Sequence, residues 1–171
     1  MVKITQHPKD DRRFRVKAEM LIPRSRDEVF EFFSDAFNLE TITPPWVNFR
    51  VITPAPIEME VGTLIDYRLR LRGLPIRWRT RISCWDPPYQ FADEQLRGPY
   101  RLWHHVHTFE EVDGGCLAKD QVDYSVPGGR WAGGLLNWLV IQRDVERIFQ
   151  YRQDVLQRTF ADETRLAERI L

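Results

Sequence analysis

The stretch FADEQLRGPYRLWHHVHTF, residues 91–109, decides how the chain is read. It reads as two strands around a Gly98-Pro99-Tyr100 turn. Phe91, Asp93, Gln95, Trp103, His105, His107 and Phe109 share one parity, and equal parity on a strand means one face. That face begins and ends in phenylalanine, yet it carries an acid, an amide and two imidazoles in between. Burying an unpaired carboxylate is costly, so inward-facing acids need partners.

The neighbouring segments alternate in the same way. Odd positions of 63–72 are apolar (Thr63, Ile65, Tyr67, Leu69, Leu71) against Asp66, Arg68, Arg70 and Arg72. In 76–84 the even positions Ile76, Trp78, Thr80, Ile82 and Cys84 face away from Arg77, Arg79 and Arg81. In 118–126 they are Ala118, Asp120, Val122, Tyr124 and Val126. One apolar and one charged face is the pattern of an antiparallel sheet covered on one side.

Facing residues must share a face, so turn lengths give registers. A Gly73-Leu74 loop sets Leu69 opposite Trp78 and Tyr67 opposite Thr80. An even loop about Pro87-Pro88 sets Thr80 opposite Gln95 and Ile82 opposite Asp93. The Gly98-Pro99-Tyr100 loop sets Asp93 opposite His105 and Gln95 opposite Trp103. The Asp113-Gly114 hairpin signal sets His107 opposite Asp120 and Trp103 opposite Tyr124. Two Asp–His pairs therefore lie side by side on the inner face.

Residues 12–22 form a first strand stopped by Pro23. Ser25-Arg26-Asp27-Glu28 is a capping box that starts a short helix near residue 26. A second short helix ends before Pro44, because the residue before proline avoids the helical region. From Trp46 to Val126 the chain is strand-like and cut by Pro and Gly clusters. After Gly129, Leu135, Trp138, Leu139, Val145, Ile148, Phe149, Leu156 and Phe160 recur at helical spacing. They predict one amphipathic helix to about residue 168, roughly 50 Å long.

The 171 residues, without repeats or a linker, are expected to form one domain, 1–171. Lys plus Arg and Asp plus Glu balance at 25 each, so no basic field invites nucleic acid. The polar N-terminus has no signal-peptide pattern, no apolar run reaches membrane-span length, and two cysteines make no disulfide framework. A cytoplasmic location is expected.

The order strand, two small helices, antiparallel strands, long helix resembles the helix-grip plan of the START and birch-pollen-allergen superfamily (SRPBCC), within it the bacterial polyketide cyclase/dehydrase-like branch. The resemblance rests on Pro23 with Val29-Phe30, Asn38-Leu39 with Thr43-Pro44, Gly62 before Tyr67, and Trp78 with Thr80 and Ile82. It continues through Phe91 to Tyr100, Trp103-x-His105-x-His107-x-Phe109, Asp120-x-Val122-x-Tyr124 and Pro127. It implies an α+β fold, an antiparallel sheet of about six or seven strands wrapped around a long C-terminal helix. No Gly-rich loop joins the middle strands, so the phosphate-cradling loop of the plant allergens is not implied.

The resemblance also implies a cavity between sheet and helix. Its candidate ligand-binding residues are Tyr67, Leu69, Trp78, Thr80, Asp93, Gln95, Trp103, His105, His107, Asp120 and Tyr124, with Trp131, Leu135 and Trp138 near the helix start. A mostly aromatic wall with few polar groups suits a flat or isoprenoid ligand carrying one or two oxygens, such as a lipid, quinone or polyketide. The expected function is binding or transport of such a hydrophobic molecule. The alternatives are a cyclase or dehydratase with a buried Asp–His pair as general base, and a protein-interaction domain with a filled core.

For the polar cluster three readings stand. Each Asp accepts a hydrogen bond from a His; or His105-x-His107 ligates a metal with Asp93 or Asp120 as third ligand or as outer partner; or an Asp–His pair removes a proton beside a carbonyl. H-x-H alone is a weak metal signal, so no metal and no cofactor are assigned. The catalytic candidates are His105, His107, Asp93 and Asp120. His104 has the outward parity, and His7 falls in the polar N-terminal tail. The outward Arg stripe is read as a solvated face offset by acids, with transient contact to an anionic membrane surface as the sharper alternative.

Overall fold

The computed structural model describes residues 2–128 and 140–168, with side chains through residue 161. The elements are β1 (Val2–Gln6), β2 (Phe14–Ile22), α1 (Arg26–Ser34), α2 (Asn38–Ile42), a 3-10 turn (Pro45–Val47), β3 (Arg50–Val51), β4 (Leu64–Leu71), β5 (Leu74–Asp86), β6 (Gln90–Arg97), β7 (Leu102–Val112), β8 (Gly115–Ser125) and α3 (Gln142–Glu168). The strands form one eight-stranded sheet in the order β1-β2-β8-β7-β6-β5-β4-β3, every pairing antiparallel. The count exceeds the predicted six or seven because short strands, β1 and β3, close the two edges. No helix among the described residues is long and apolar enough to cross a membrane.

The capping box holds: Ser25 Oγ accepts from the Glu28 amide, and Glu28 Oε2 accepts from the Ser25 amide at 3.0 Å. α3 covers the inner face with Val145, Phe149, Leu156 and Phe160, all buried. Leu156 and Phe160 pack with Met20, Phe30, Phe91 and Phe109. Val145 and Phe149 pack with Val16, Val122 and Tyr124. Each such burial contributes about 1.5–3 kcal/mol. The helix is described from Gln142 onward; the predicted first turns after Gly129, with Trp131, Leu135 and Trp138, lie outside the described residues.

β1 occupies a segment whose composition reads as a polar tail, since only Val2 and Ile4 give it an apolar side. His7 is accordingly not in a free tail. Its Nε2 lies 2.9 Å from Arg15 Nη2 and 3.7 Å from the Asp123 carboxylate.

The registers decide which side chains meet. β7 and β8 pair as the Asp-Gly signal predicts, with Trp103 opposite Tyr124 and His107 opposite Asp120. β6 and β7 bring Asp93 opposite His105. That ladder ends at Glu94–His104, so the predicted Gln95–Trp103 pair does not form. Gln95 instead folds over the turn, donating to the Tyr100 carbonyl at 2.7 Å and accepting from the Tyr100 amide at 3.3 Å. Gly98 is required beneath it, because a Cβ there would stand 2.2 Å from Gln95 Oε1.

β4 and β5 pair two residues away from expectation: Leu69 faces Ile76, and Tyr67 faces Trp78. The two-residue loop is Arg72-Gly73, both with positive φ (51° and 83°), not Gly73-Leu74. A type I′ turn needs positive φ at both central residues, and glycine takes the second place here. A two-residue slip leaves every side chain on its predicted face.

β5 and β6 place Thr80 opposite Gln95 and Ile82 opposite Asp93, as predicted, though by another route. The loop spans the three residues between Asp86 and Gln90, and a bulge at Ser83 absorbs the odd residue. The bulge also switches the inward parity of β5, so Trp85 rather than Cys84 reaches Phe30 and Phe91, at 5.3 and 5.9 Å between ring centroids.

On the outer face, Arg79 pairs with Asp66 at 2.8 Å and Arg81 with Glu94, while Arg72, in the β4–β5 turn, reaches Asp144 of α3 at 2.7 Å. Three of the six stripe arginines are therefore offset by acids.

Candidate functional site

Between the inner face and α3, closed on one side by α1 and α2, lies a cavity of about 170 Å³. From the sheet it is lined by the predicted residues Tyr67, Leu69, Trp78, Thr80, Asp93, Trp103, His105 and His107, and also by Ile65, Leu71, Ile82 and Phe91, which were not predicted. Helical and loop residues complete it, among them Phe33, Leu39, Phe49, Met59, Ile148, Phe149 and Arg152. A wider groove of about 860 Å³ between α1–α2 and the 55–59 loop adjoins it, with Phe32, Asp35, Ala36 and Met59 lining both.

Three predicted wall residues lie elsewhere. Gln95 is engaged with Tyr100. Tyr124 is fully buried against Phe14 and Val16, in the core behind the wall. Asp120 sits behind the imidazoles. Leu135 and Trp138 lie outside the described residues.

The wall is aromatic and internally braced. Trp103 stands edge-on to Trp78 at 5.4 Å and packs on Tyr100 at 4.7 Å. Trp78 Nε1 donates to Thr80 Oγ1 at 3.0 Å, so these two inward polar groups satisfy each other. Burial pushes the Tyr67 and Tyr100 phenols above their ordinary range, which keeps both as neutral hydroxyls.

The polar corner is built from three strands. Imidazoles of His105 and His107 lie 3.8 Å apart between centroids, and His107 stacks on Phe91 at 4.3 Å. Behind them, Asp120 Oδ1 accepts from His105 Nε2 at 3.0 Å. The same oxygen lies 2.7 Å from His107 Nδ1, a close contact off the direction of an ideal hydrogen bond. On the cavity side, Asp93 Oδ2 faces the other two ring nitrogens, His105 Nδ1 at 3.8 Å and His107 Nε2 at 4.0 Å. Each Asp thus spans both imidazoles, where the sequence suggested one Asp for each.

Environment drives the two carboxyls apart. Burial pushes Asp93 up to about 6, against the opposing pull of His107 and Arg152. For Asp120 burial pushes the same way, but the adjoining imidazoles outweigh it and hold the group well below the carboxylate range. Burial and the neighbouring His107 lower His105 to about 3, so this ring is neutral at ordinary pH.

Among the lining residues that sequence reasoning missed, Arg152 brings a charge into the corner. It is 9% exposed, its guanidinium lies over the Phe149 ring at 5.2 Å, and its Nε and Nη1 have no hydrogen-bond partner among the described residues. The signal was present: on the buried stripe Val145, Phe149, Leu156, Phe160, position 152 is where the period calls for an apolar side chain.

Residues 22–150 match the family described as polyketide cyclase/dehydrase and lipid transport. No curated protein matches the chain significantly. Among solved structures, the Zhui aromatase/cyclase from Streptomyces sp. R1128 superposes with a TM-score of 0.68 at 17% identity, covering 91% of this chain and 98% of that one. The protein TTHA0849 from Thermus thermophilus gives 0.64 at 19% identity, covering 83% and 96%. Ara h 8.0201 gives 0.64 at 13%, covering 88% and 99%. These likenesses show the helix-grip fold, and the match over residues 22–150 carries the assignment: the chain belongs to the polyketide cyclase/dehydrase and lipid transport family, within the SRPBCC superfamily.

Proposed function

We propose that the chain binds a compact hydrophobic small molecule, a ring system or short isoprenoid bearing one or two oxygens, in the cavity between sheet and α3. One observation carries this reading: a partly enclosed, mostly apolar and aromatic cavity with a polar corner made by Asp93, His105, His107 and Arg152. Its volume of about 170 Å³ is the scale of an apolar void that accepts a benzene ring. That scale favours a quinone or polyketide ring over a sterol. The unpartnered donors of Arg152 favour a ligand with an oxygen to offer. An unfilled interior weighs against an interaction domain with a packed core.

Trp78 and Trp103 provide the test. Titration with a panel of naphthols and quinones should quench tryptophan emission saturably, one ligand per chain. Native mass spectrometry of the purified protein should show an extractable lipophile. Leu69→Trp, which fills the cavity, should abolish both signals while the circular dichroism spectrum is kept. A panel without saturable quenching, together with a bare mass, rejects the reading.

A second reading, a cyclase or dehydratase, is favoured by Asp93 facing the cavity with an imidazole on its far side. The same family contains such enzymes by its description, and the Zhui aromatase/cyclase shares the fold. Asp93→Asn should then lower turnover of a ketone-bearing ring substrate by roughly 10²–10⁴-fold, with binding retained. Equal turnover in the variant removes this reading and leaves the binder.

A further inference from the structure

Asp120 orients two imidazoles at once, and this fixes what they offer to the cavity. An ionised carboxylate only accepts hydrogen bonds, so the ring nitrogens turned toward Asp120, Nε2 of His105 and Nδ1 of His107, carry the hydrogens. With both rings neutral, as metal ligation requires, the opposite nitrogens carry lone pairs. These are His105 Nδ1 and His107 Nε2, and both face Asp93 Oδ2, at 3.8 and 4.0 Å.

Three acceptors thus converge on one point at the cavity wall with no donor among them. Their separations exceed hydrogen-bond length. Among the described residues no lysine or arginine lies within ion-pair distance of Asp93. The three donor atoms all lie within 4.8 Å of one another. Ligands around a tetrahedral ion at about 2.0–2.1 Å stand roughly 3.3 Å apart, so sub-ångström side-chain adjustment closes the ring.

We propose that Asp93, His105 and His107 bind one divalent transition-metal ion of the zinc or iron(II) type, with Asp120 as the outer carboxylate that orients both imidazoles. Two imidazoles and one carboxylate form a borderline donor set that suits zinc, cobalt or iron(II) rather than magnesium or calcium. Carboxylates behind metal-bound histidines hold the tautomer and ring orientation in just this way. Three protein ligands leave coordination positions free, and since all three residues line the cavity, those positions face it. An ion there would polarise a ketone or phenol oxygen brought into the cavity. The binding itself requires no organic ligand, so it stands or falls apart from the proposed function.

The full-length protein, stripped with a chelator, is titrated with cobalt(II) and read by visible d–d absorption and calorimetry, with zinc(II) as competitor. The expected result is one ion per chain, displaced by zinc. Asp93→Asn and His107→Gln should each weaken binding on the order of 100-fold or more, Asp120→Asn by roughly 10–100-fold, and the outward His104→Gln not at all. Should a variant fail to fold, imidazole nitrogen-15 shifts in the wild-type chain answer the same question. Zinc should move His105 Nδ1 and His107 Nε2. Absence of stoichiometric uptake, uptake retained in Asp93→Asn, or unmoved imidazole signals overturns the proposal.

Discussion

The two faces of one sheet carry the same kind of contact in very different surroundings. Outside, Arg79 and Asp66 meet at 2.8 Å with side chains 48% and 42% exposed. Inside, His105 and Asp120 meet at 3.0 Å with side chains 7% and 13% exposed. Water competes for the outer pair and salt screens it, so such pairs contribute about 0–1 kcal/mol. The inner groups have no water to return to, and removing one strands the other. The contact lengths are close; the consequences are not. The inner cluster is where substitution will register.

The largest break in this contrast comes from Asp120→Ala, which leaves two buried imidazoles without their acceptor. Unfolding in urea should show a loss of roughly 2–4 kcal/mol, from about 1–3 kcal/mol for each stranded buried donor. A loss below about 1 kcal/mol would place the inner pair with the outer ones.

Asp93→Asn sharpens the contrast in the opposite direction. The folded carboxyl titrates at about 6, above its ordinary 3.8, so the folded state holds the proton more tightly. That stability is complete below the unfolded pKa and is lost as pH rises from about 4 to about 6. Asparagine should remove this slope and stabilise the protein at pH 7, on the order of 2 kcal/mol. Urea midpoints taken at pH 4, 5, 6 and 7 read it directly, and a variant with the wild-type slope contradicts the assignment.

Gly98→Ala tests the turn that carries β6 into β7. A Cβ there displaces the Gln95 amide from Tyr100, and the expected loss is about 1 kcal/mol in thermal or urea unfolding. Asp66→Ala on the outer face should change stability least, by at most about 0.5 kcal/mol, and the difference should shrink in high salt. A larger, salt-resistant effect would show that the outer face is not simply solvated.

Legibility followed the locality of the signal. Asp113-Gly114 fixed β7–β8 because turn chemistry and parity agreed there. Capping at Ser25 and Glu28, and the stop before Pro44, were equally local. The β4–β5 register slipped because Arg72 carries positive φ, a role that residue type alone does not announce. β1 was missed for want of a pattern longer than Val2 and Ile4. At the site, parity found Asp93, His105 and His107. It could not tell that Asp120 lies behind the rings, since two residues on one face can stand at different depths. Tyr124 was misplaced for the same reason. Arg152 breaks a helical period, and a charge on an apolar stripe is itself a signal.

The bulge at Ser83 has a consequence for how relatives of this chain can vary. Upstream of it the inward residues of β5 are even, and downstream Trp85 is inward at an odd position. Losing Ser83 would straighten the strand and leave Trp78, Thr80, Ile82 and Trp85 all facing α3. Losing any residue between Trp78 and Ile82 would instead turn part of the wall outward. Ser83 is thus an expansion joint: length changes can be absorbed there while the chemistry presented to the cavity drifts only by substitution.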